Sequence, residues 1–157
     1  MSPAPSRLES YVRALPKTDL HVHLDGSLRL GTVLELARER NIKLPSDTEA
    51  GLVEKVFKPR YRNLPEYLEG FRYTCAVLQT AESLERATYE LCEDCREEGV
   101  DYVEIRFAPQ LHVHRDLSLR AVARAVARGI ARAEKTFDGR TDGRPPFRAG
   151  VIFCALR

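Results

Sequence analysis

Hydrophobic and polar residues alternate along three short stretches of the chain, and hydrophobic residues recur at helical spacing along the longer stretches between them. Alternation with a period of two is typical of a β-strand, whereas helical spacing is typical of a helix with one buried face. The alternating stretches predict strands at about 18–24, 100–107 and 147–156. Because helical stretches separate these strands, the pattern predicts an α/β protein with a parallel sheet.

Two of the helical stretches have clear apolar faces. Thr80 to Glu98 is followed by Gly99, a residue that commonly ends a helix. Ser118 is a suitable N-cap for the second helix, which we expect to run to about Phe137. The predicted buried face of this second helix consists of Leu119, Val122, Val126, Ile130, Ala133 and Phe137. We expect helices to cover the parallel sheet.

The region of about 44–80 lies between the first strand and the long helices, and its pattern predicts a helical insertion. An apolar stripe within it consists of Leu64, Tyr67, Leu68 and Phe71. Such a stripe more often packs in a core than forms a binding surface, and the pattern alone leaves both interpretations open.

Composition narrows the class of protein. The chain has 157 residues, of which 43% are hydrophobic and 31% are charged, as in ordinary soluble globular proteins. A formal net charge of +2 does not indicate a nucleic acid partner. No run of about 18 apolar residues is present for a membrane span, and the amino terminus lacks the pattern of a signal peptide. We therefore expect a cytoplasmic protein that binds neither nucleic acid nor a membrane.

The chain contains four cysteines, and Cys92 and Cys95 form a Cys-x-x-Cys pair. A zinc ribbon needs a second such pair, and a redox-active pair usually opens a helix. Here both residues lie on the apolar face of the helix predicted from Thr80 to Glu98. We therefore interpret them as reduced cysteines of the core.

The candidate chemistry lies in residues 18–27, which read Thr-Asp-Leu-His-Val-His-Leu-Asp-Gly-Ser. A regular strand places His21 and His23 on one face, together with Asp19 and Asp25. The other face carries Leu20, Val22 and Leu24, and we expect this apolar face to lie under a layer of helices. Neutral imidazole is a common zinc ligand, and burial of four ionisable groups without a cation is costly. A His-x-His pair also occurs by chance on exposed strands, so a surface strand is the alternative.

Residues 15–27, Leu-Pro-Lys-Thr-Asp-Leu-His-Val-His-Leu-Asp-Gly-Ser, closely resemble the opening strand of adenosine deaminases. In that family this strand is the first of a (β/α)8 barrel, its two histidines bind the catalytic zinc, and the Asp contacts the sugar. The resemblance therefore implies that His21 and His23 bind one zinc ion per complete site and that His23 and Asp25 contact the substrate. Related adenine deaminases usually carry Glu at the position of Asp25, which favours a nucleoside over a free base.

The resemblance continues beyond the first strand. In the family, the insertion after that strand covers the purine, which implies that Leu64, Tyr67 and Phe71 form a lid over the substrate. The second strand and the following Ala-Pro-Gln-Leu also resemble the family, and we interpret Glu104 and Arg106 as inward-facing scaffold residues that pair with each other.

A second pair, His112 and His114, follows the second strand. We do not interpret it as a metal site, because Pro109 and Asp116 bound a stretch unlike a core strand and because the family does not use this pair for zinc.

A complete (β/α)8 barrel takes about 250 residues. The resemblance therefore implies that residues 1–157 are a single incomplete domain, namely the amino-terminal portion of such a barrel with about three βα units and a helical insertion after strand 1. The family's further His and Asp ligands, and the Glu general acid of its His-Ala-Gly-Glu run, have no counterpart in this sequence. We therefore assign no catalytic residue within the chain and expect it to be inactive by itself.

The implied function is zinc-dependent hydrolytic deamination of adenosine to inosine and ammonia, with deoxyadenosine as a further candidate substrate, so the expected partner is a small purine nucleoside. Two alternatives stay open. Metal-dependent phosphoesterases of the histidinol-phosphatase type also begin with Asp-x-His-x-His, although Leu-Asp-Gly-Ser at 24–27 fits the deaminases better. The other alternative is an inactive half-barrel that needs a partner chain.

Overall fold

The structure is a computed structural model that describes residues 6–114, 116–138 and 143–155. The helices are α1 Arg7–Ala14, α2 Leu30–Glu39, α3 Glu49–Lys55, α4 Leu64–Val77, α5 Ala81–Glu97 and α6 Leu119–Asp138. The strands are β1 Lys17–His23, β2 Val100–Phe107 and β3 Arg148–Phe153, and short 3-10 turns follow β1 at Leu24–Gly26 and β2 at Pro109–His112. Residue 156, the predicted end of the third strand, lies outside the described residues.

The three strands form one parallel sheet in the order β1-β2-β3. Helices connect the strands, as parallel pairing requires. β2 and β3 are in continuous register from Tyr102 opposite Arg148 to Phe107 opposite Phe153. The predicted α/β class is confirmed, and consecutive neighbouring strands with crossover helices are the arrangement of the first units of a (β/α)8 barrel.

β1 departs from the regular alternation that its sequence predicts. Asp19 pairs with Val103 and Val22 pairs with Ile105, so three steps on β1 lie opposite two steps on β2. Such a bulge breaks the period of two. The backbone N–H of His21 donates to Asp19 Oδ1 at 3.0 Å within this bulge. The expectation that the three aliphatic residues share a buried face is therefore wrong for Leu20, which is 58% exposed, whereas Leu24 is fully buried in the following turn.

The core lies between one face of the sheet and the pair α5 and α6. Val103, Ile105 and Phe107 of β2 are buried against it. The close approach of the two helices requires a glycine at position 129, because a Cβ there would lie 2.6 Å from the carbonyl oxygen of Glu85. Within the described residues, no helix is long and apolar enough to cross a membrane.

The α6 stripe differs from expectation at its first residue, and the α4 stripe, for which the pattern left two interpretations open, lies outside the core. Leu119 is 57% exposed, because it is the first residue of α6 and lies beyond the part of the helix that packs on α5. The α4 stripe does not enter the core either, since Leu64, Tyr67 and Leu68 are all exposed. The buried residues of α4, namely Gly70, Thr74 and Val77, lie from the middle of the helix to its carboxyl end. The amino-terminal part of α4 therefore has an uncovered apolar face.

Cys92 and Cys95 are buried free thiols on the core side of α5, as the stripe predicts. Burial raises the pKa of each thiol to about 12. The reactive thiolate is therefore disfavoured at neutral pH in the folded protein.

We expect Cys92 and Cys95 to react slowly with a thiol-specific disulfide reagent at pH 8. A pKa of about 12 leaves about one thiolate in 10,000 at that pH, and the rate should rise about tenfold per pH unit until the pKa is reached. Stopped-flow absorbance measures the reaction rates with and without guanidinium, and peptide mapping identifies the cysteines that have reacted. Equal rates for these two cysteines in folded and unfolded protein at pH 8 would contradict the assigned burial.

A buried ion pair joins the end of α5 to the start of β2. The guanidinium of Arg96 donates to Asp101 Oδ1, and Arg144 donates to the same oxygen. Arg96 is 2% exposed and Asp101 is 7% exposed. Asn in place of Asp101 would remove a charge that the buried guanidinium of Arg96 contacts, and loss of a buried charge partner is more costly than loss of an exposed one.

We therefore expect Asp101→Asn to lower the free energy of unfolding by about 3 kcal/mol. Asp138→Asn is the matched control, because Asp138 pairs with Arg148 at the surface and both side chains are at least 39% exposed. The control should leave the midpoint of urea denaturation unchanged. Equal shifts of the midpoint for the two variants would refute a stabilising role for the buried pair.

Candidate active site

The two histidines of β1 lie where the carboxyl end of the strand meets solvent. His21 and His23 are both exposed, and their ring centroids are 5.4 Å apart with a tilt of 37°. Two imidazoles bound tetrahedrally to one zinc ion, with Zn–N bonds of about 2.0 Å, have centroids about 5 Å apart. The spacing of the two rings therefore fits one shared metal ion, for which the pair would provide two ligands.

Arg106 of β2 contacts this pair. Its Nη1 lies 3.0 Å from Nδ1 and 2.8 Å from Nε2 of His21. The guanidinium is a cation close to both ring nitrogens, so it would repel a second cation bound at either of them. Arg106 would therefore have to move away from His21 when a metal ion binds there.

The expected pairing of Glu104 with Arg106 is wrong. Glu104 Oε1 accepts a hydrogen bond from the hydroxyl of Tyr102 at 3.1 Å, and no ion pair joins Glu104 to Arg106 within the described parts of the chain. The physical reason is the parallel register, which places Arg106 opposite His23 on β1 and so within reach of the histidine pair.

Asp25 lies in the 3-10 turn after β1 and is only 5% exposed. Its Oδ1 is 3.8 Å from Nδ1 of His23 and has no hydrogen-bond partner among the described residues. Its Oδ2 accepts a weak hydrogen bond from the thiol of Cys75 at 3.9 Å. The turn therefore removes Asp25 from the exposed strand face that the alternation predicts. A buried carboxylate oxygen without a donor is typical of a group that accepts a hydrogen bond from a ligand.

Two residues beside Asp25 were not predicted from the sequence, namely Cys75 and His112. One ligand atom from each of these three side chains lies within 4.8 Å of the others, and no other group of three or more potential metal ligands occurs in the described residues. Burial and the neighbouring Asp25 raise the pKa of Cys75 to about 12, and burial lowers the pKa of His112. No local pattern indicates this cluster, because its members come from three separate elements.

A small cavity of about 130 Å³ lies between α4 and the turn that carries Asp25. It is lined by Asp25, Gly26, Phe57, Tyr61, Tyr67, Gly70, Phe71 and Thr74. Tyr67 and Phe71 of the predicted lid thus face the site, whereas Leu64 is 65% exposed and does not line the cavity.

Aromatic rings connect the cavity to the histidines. The Tyr61 and Tyr67 centroids are 5.2 Å apart, those of Tyr67 and Phe71 are 5.7 Å apart, and those of Phe71 and His23 are 6.4 Å apart. All three pairs have edge-to-face geometry, which is a favourable arrangement for aromatic rings. The site thus combines an imidazole pair suited to a cation, a carboxylate suited to a hydroxyl donor and an aromatic wall suited to a flat apolar group.

Solved structures with the same fold define the class. An adenine deaminase from Arthrobacter aurescens matches with a TM-score of 0.70 and 27% identity over 88% of this chain and 38% of that protein. An N6-mAMP deaminase from Arabidopsis matches with a TM-score of 0.70 and 28% identity over 92% of this chain and 42% of that protein. A zinc-bound amidohydrolase from Burkholderia ambifaria, with a TM-score of 0.74 and 20% identity, covers 97% of this chain and shares the fold. The described fold therefore belongs to the barrels of the amidohydrolase and deaminase class.

Sequence comparison gives the family. The family model Adenosine deaminase matches residues 16–157. A protein of Dictyostelium discoideum named "Probable adenosine deaminase" is 44% identical over 147 residues, which are 93% of this chain and 18% of that protein. An adenosine deaminase of Vibrio atlanticus is 48% identical over 109 residues, which are 69% of this chain and 33% of that protein. The chain belongs to the adenosine deaminase family, and it spans between about a fifth and a third of the length of these two relatives.

Proposed function

We propose that this chain is the amino-terminal part of a zinc-dependent deaminase that hydrolyses adenosine to inosine and ammonia. The observation that carries the proposal is the position of two histidines, spaced to share one metal ion, directly beside a buried carboxylate with an unpaired oxygen. Membership of the adenosine deaminase family supports the reaction.

His21 and His23 would hold the zinc ion, and Arg106 would withdraw from His21 to admit it. A zinc ion bound by such residues supplies a water molecule whose pKa is lowered towards neutrality. The further His, Asp and Glu residues that the resemblance implies would come from outside these 157 residues. We therefore propose that these 157 residues by themselves are inactive.

Asp25 would select the nucleoside. Its Oδ1 is buried and without a donor, and a hydroxyl group of a bound sugar would satisfy it. Tyr67 and Phe71 would pack on the flat base and exclude water, which strengthens the electrostatic contacts in the site. The similar solved proteins act, by their names, on adenine and on an N6-methylated adenine nucleotide, which supports an aminopurine base. Contact between Leu64 and substrate stays a prediction.

No observation favours a phosphoesterase of the histidinol-phosphatase type. The alternative of a half-barrel that needs a partner chain makes a different prediction about the gene. The coding sequence after residue 157 would continue in frame with a His, a His-x-x-Glu run and an Asp pair if the proposal is correct. A stop codon at that point would favour the partner chain.

We expect His21→Ala and His23→Ala each to reduce bound zinc and to lower kcat/KM for adenosine by about a hundredfold or more, because each removes a metal ligand. The measurements are metal analysis by plasma emission and the ultraviolet absorbance change on conversion of adenosine to inosine, with the protein expressed from its complete coding sequence. His114→Ala is the matched control, because His114 lies outside the pair and bonds to the carbonyl of Gln79. Full zinc content and activity in the β1 variants would disprove the metal assignment.

We expect Tyr67→Ala and Phe71→Ala each to raise KM for adenosine by about tenfold, because each removes an aromatic contact worth about 1 kcal/mol or more. Leu68→Ala is the matched control, since Leu68 belongs to the same stripe and is 49% exposed but does not line the cavity. Steady-state kinetics measures the three variants. An equal change in KM for all three would show that α4 affects the site only through its general stability.

A further inference from the structure

Three side chains, namely Asp25, Cys75 and His112, form a cluster next to the site described above. Asp25 is 5% exposed, His112 is fully buried and Cys75 is partly buried. One potential ligand atom of each lies within 4.8 Å of the other two. Only Asp25 has a role in the function proposed above, so that function does not explain why the three residues meet.

The hydrogen bonding of His112 leaves one of its ring nitrogens unpaired. Nδ1 lies 2.9 Å from the carbonyl oxygen of Leu78. Because a carbonyl oxygen can only accept, Nδ1 carries the proton and Nε2 of the neutral ring keeps its lone pair. Nε2 is buried and has no hydrogen-bond partner in the part of the chain that the structure describes. A histidine that binds a metal ion commonly donates its other ring N–H to a backbone carbonyl in this way, which fixes the tautomer.

The three side chains of the cluster cannot satisfy one another. The carboxylate of Asp25 and Nε2 of His112 are both acceptors, and the thiol of Cys75 is a weak donor. The thiol sulphur lies 3.9 Å from Oδ2 of Asp25, which is a long contact. Burial of a carboxylate with such weak pairing is costly. A cation between the three ligand atoms would interact favourably with all of them.

The ligand types suit a divalent transition metal ion. Cysteine sulphur, imidazole nitrogen and carboxylate oxygen are the three kinds of ligand that zinc binds in proteins. In a tetrahedral zinc site the sulphur and oxygen ligands lie about 3.5 Å apart, close to the 3.9 Å between Cys75 Sγ and Asp25 Oδ2. Binding would release the thiol proton to solvent, so that the charges of the thiolate, the carboxylate and the ion sum to zero. Such a neutral site is less costly to bury than the carboxylate alone.

Hydrogen bonds join the two elements that carry Cys75 and His112. The side-chain amide of Gln79 donates to the carbonyl oxygen of Leu111 at 3.0 Å and to that of Cys75 at 2.7 Å. With the bond from His112 to Leu78, these contacts hold the loop after β2 against the carboxyl end of α4. Folding of the chain therefore places both ligands, and preorganised ligands favour binding.

We propose that Asp25, Cys75 and His112 form a second metal site, which binds one zinc-type divalent ion and is distinct from the pair of His21 and His23. Oδ2 of Asp25 would bind the ion, whereas Oδ1 stays on the side of His23, where the proposed function needs it. The described residues provide three ligands, which leaves a fourth position for water. The ion would join the turn after β1 to α4 and to the loop after β2. This inference does not depend on the deaminase reaction.

Titration with Co2+ tests the inference. Co2+ replaces zinc at such ligands, and a thiolate bound to Co2+ gives an intense charge-transfer band in the near ultraviolet. The protein is expressed from its complete coding sequence, freed of metal with a chelator and titrated. We expect two equivalents to bind and the band to accompany one of them. His21→Ala should lose the other equivalent and keep the band.

Two variants of the cluster have matched controls. Cys75→Ser should abolish the band, because it removes the thiolate, and Cys154→Ser should keep it. His112→Ala should weaken the affinity for Co2+, measured from the band, by about a hundredfold or more, because it removes a ligand. His114→Ala should leave that affinity unchanged, since His114 lies outside the cluster and bonds to the carbonyl of Gln79.

The outcomes separate this inference from the proposed function. Absence of the band in wild type overturns the second site, whether or not any variant folds. A band that persists in Cys75→Ser also overturns it, because another cysteine would then bind the ion, and so does an unchanged affinity in His112→Ala. A single equivalent that gives the band and remains in His21→Ala supports the second site and refutes the metal assignment of the proposed function. A single equivalent without the band, lost in His21→Ala, does the reverse.

Discussion

The parallel pairing of β1 with β2 is the constraint on which the candidate site depends. It brings the carboxyl ends of the two strands to the same edge of the sheet, so that the histidines of β1, Arg106 of β2 and the turn with Asp25 become neighbours. The bulge in β1 modifies this pairing by one residue and decides which side chains face the site. A continuous register would have given a different set of neighbours, because a shift of one residue reverses the face of every side chain that follows.

The two faces of the sheet have opposite characters. The face towards α5 and α6 is apolar and fully buried, as Val103 and Ile105 show. The other face carries His21, Glu104 and Arg106, where Arg106 contacts His21 and Glu104 accepts a hydrogen bond from Tyr102. This asymmetry is typical of a barrel in which helices cover the outside and polar groups at the carboxyl ends of the strands form the active site. The parallel register also explains why a cationic side chain lies beside the histidine pair, since it places Arg106 opposite His23.

The buried polar cluster couples three parts of the structure that are distant in sequence. Asp25 follows β1, Cys75 belongs to α4 and His112 follows β2, and hydrogen bonds through Gln79 fix the last two to each other. The amino-terminal part of α4 is less buried, because Leu64, Tyr67 and Leu68 of its stripe are exposed. One helix thus has a fixed carboxyl end beside the carboxylate and an exposed amino end, which suits a cover that is anchored on one side.

The sequence by itself determined the element types, the buried faces of β2, α5 and α6, and the family, because these depend on local periodicity and on a specific run of residues around His21 and His23. It also gave the histidine pair and Asp25 as candidates. Only the tertiary structure decided that Leu20 and Leu119 are exposed, that Arg106 contacts His21 rather than Glu104, and that Cys75 and His112 meet Asp25. These features depend on a bulge and on contacts between residues about 50 or more positions apart, and no local pattern of hydrophobic and polar residues encodes such contacts.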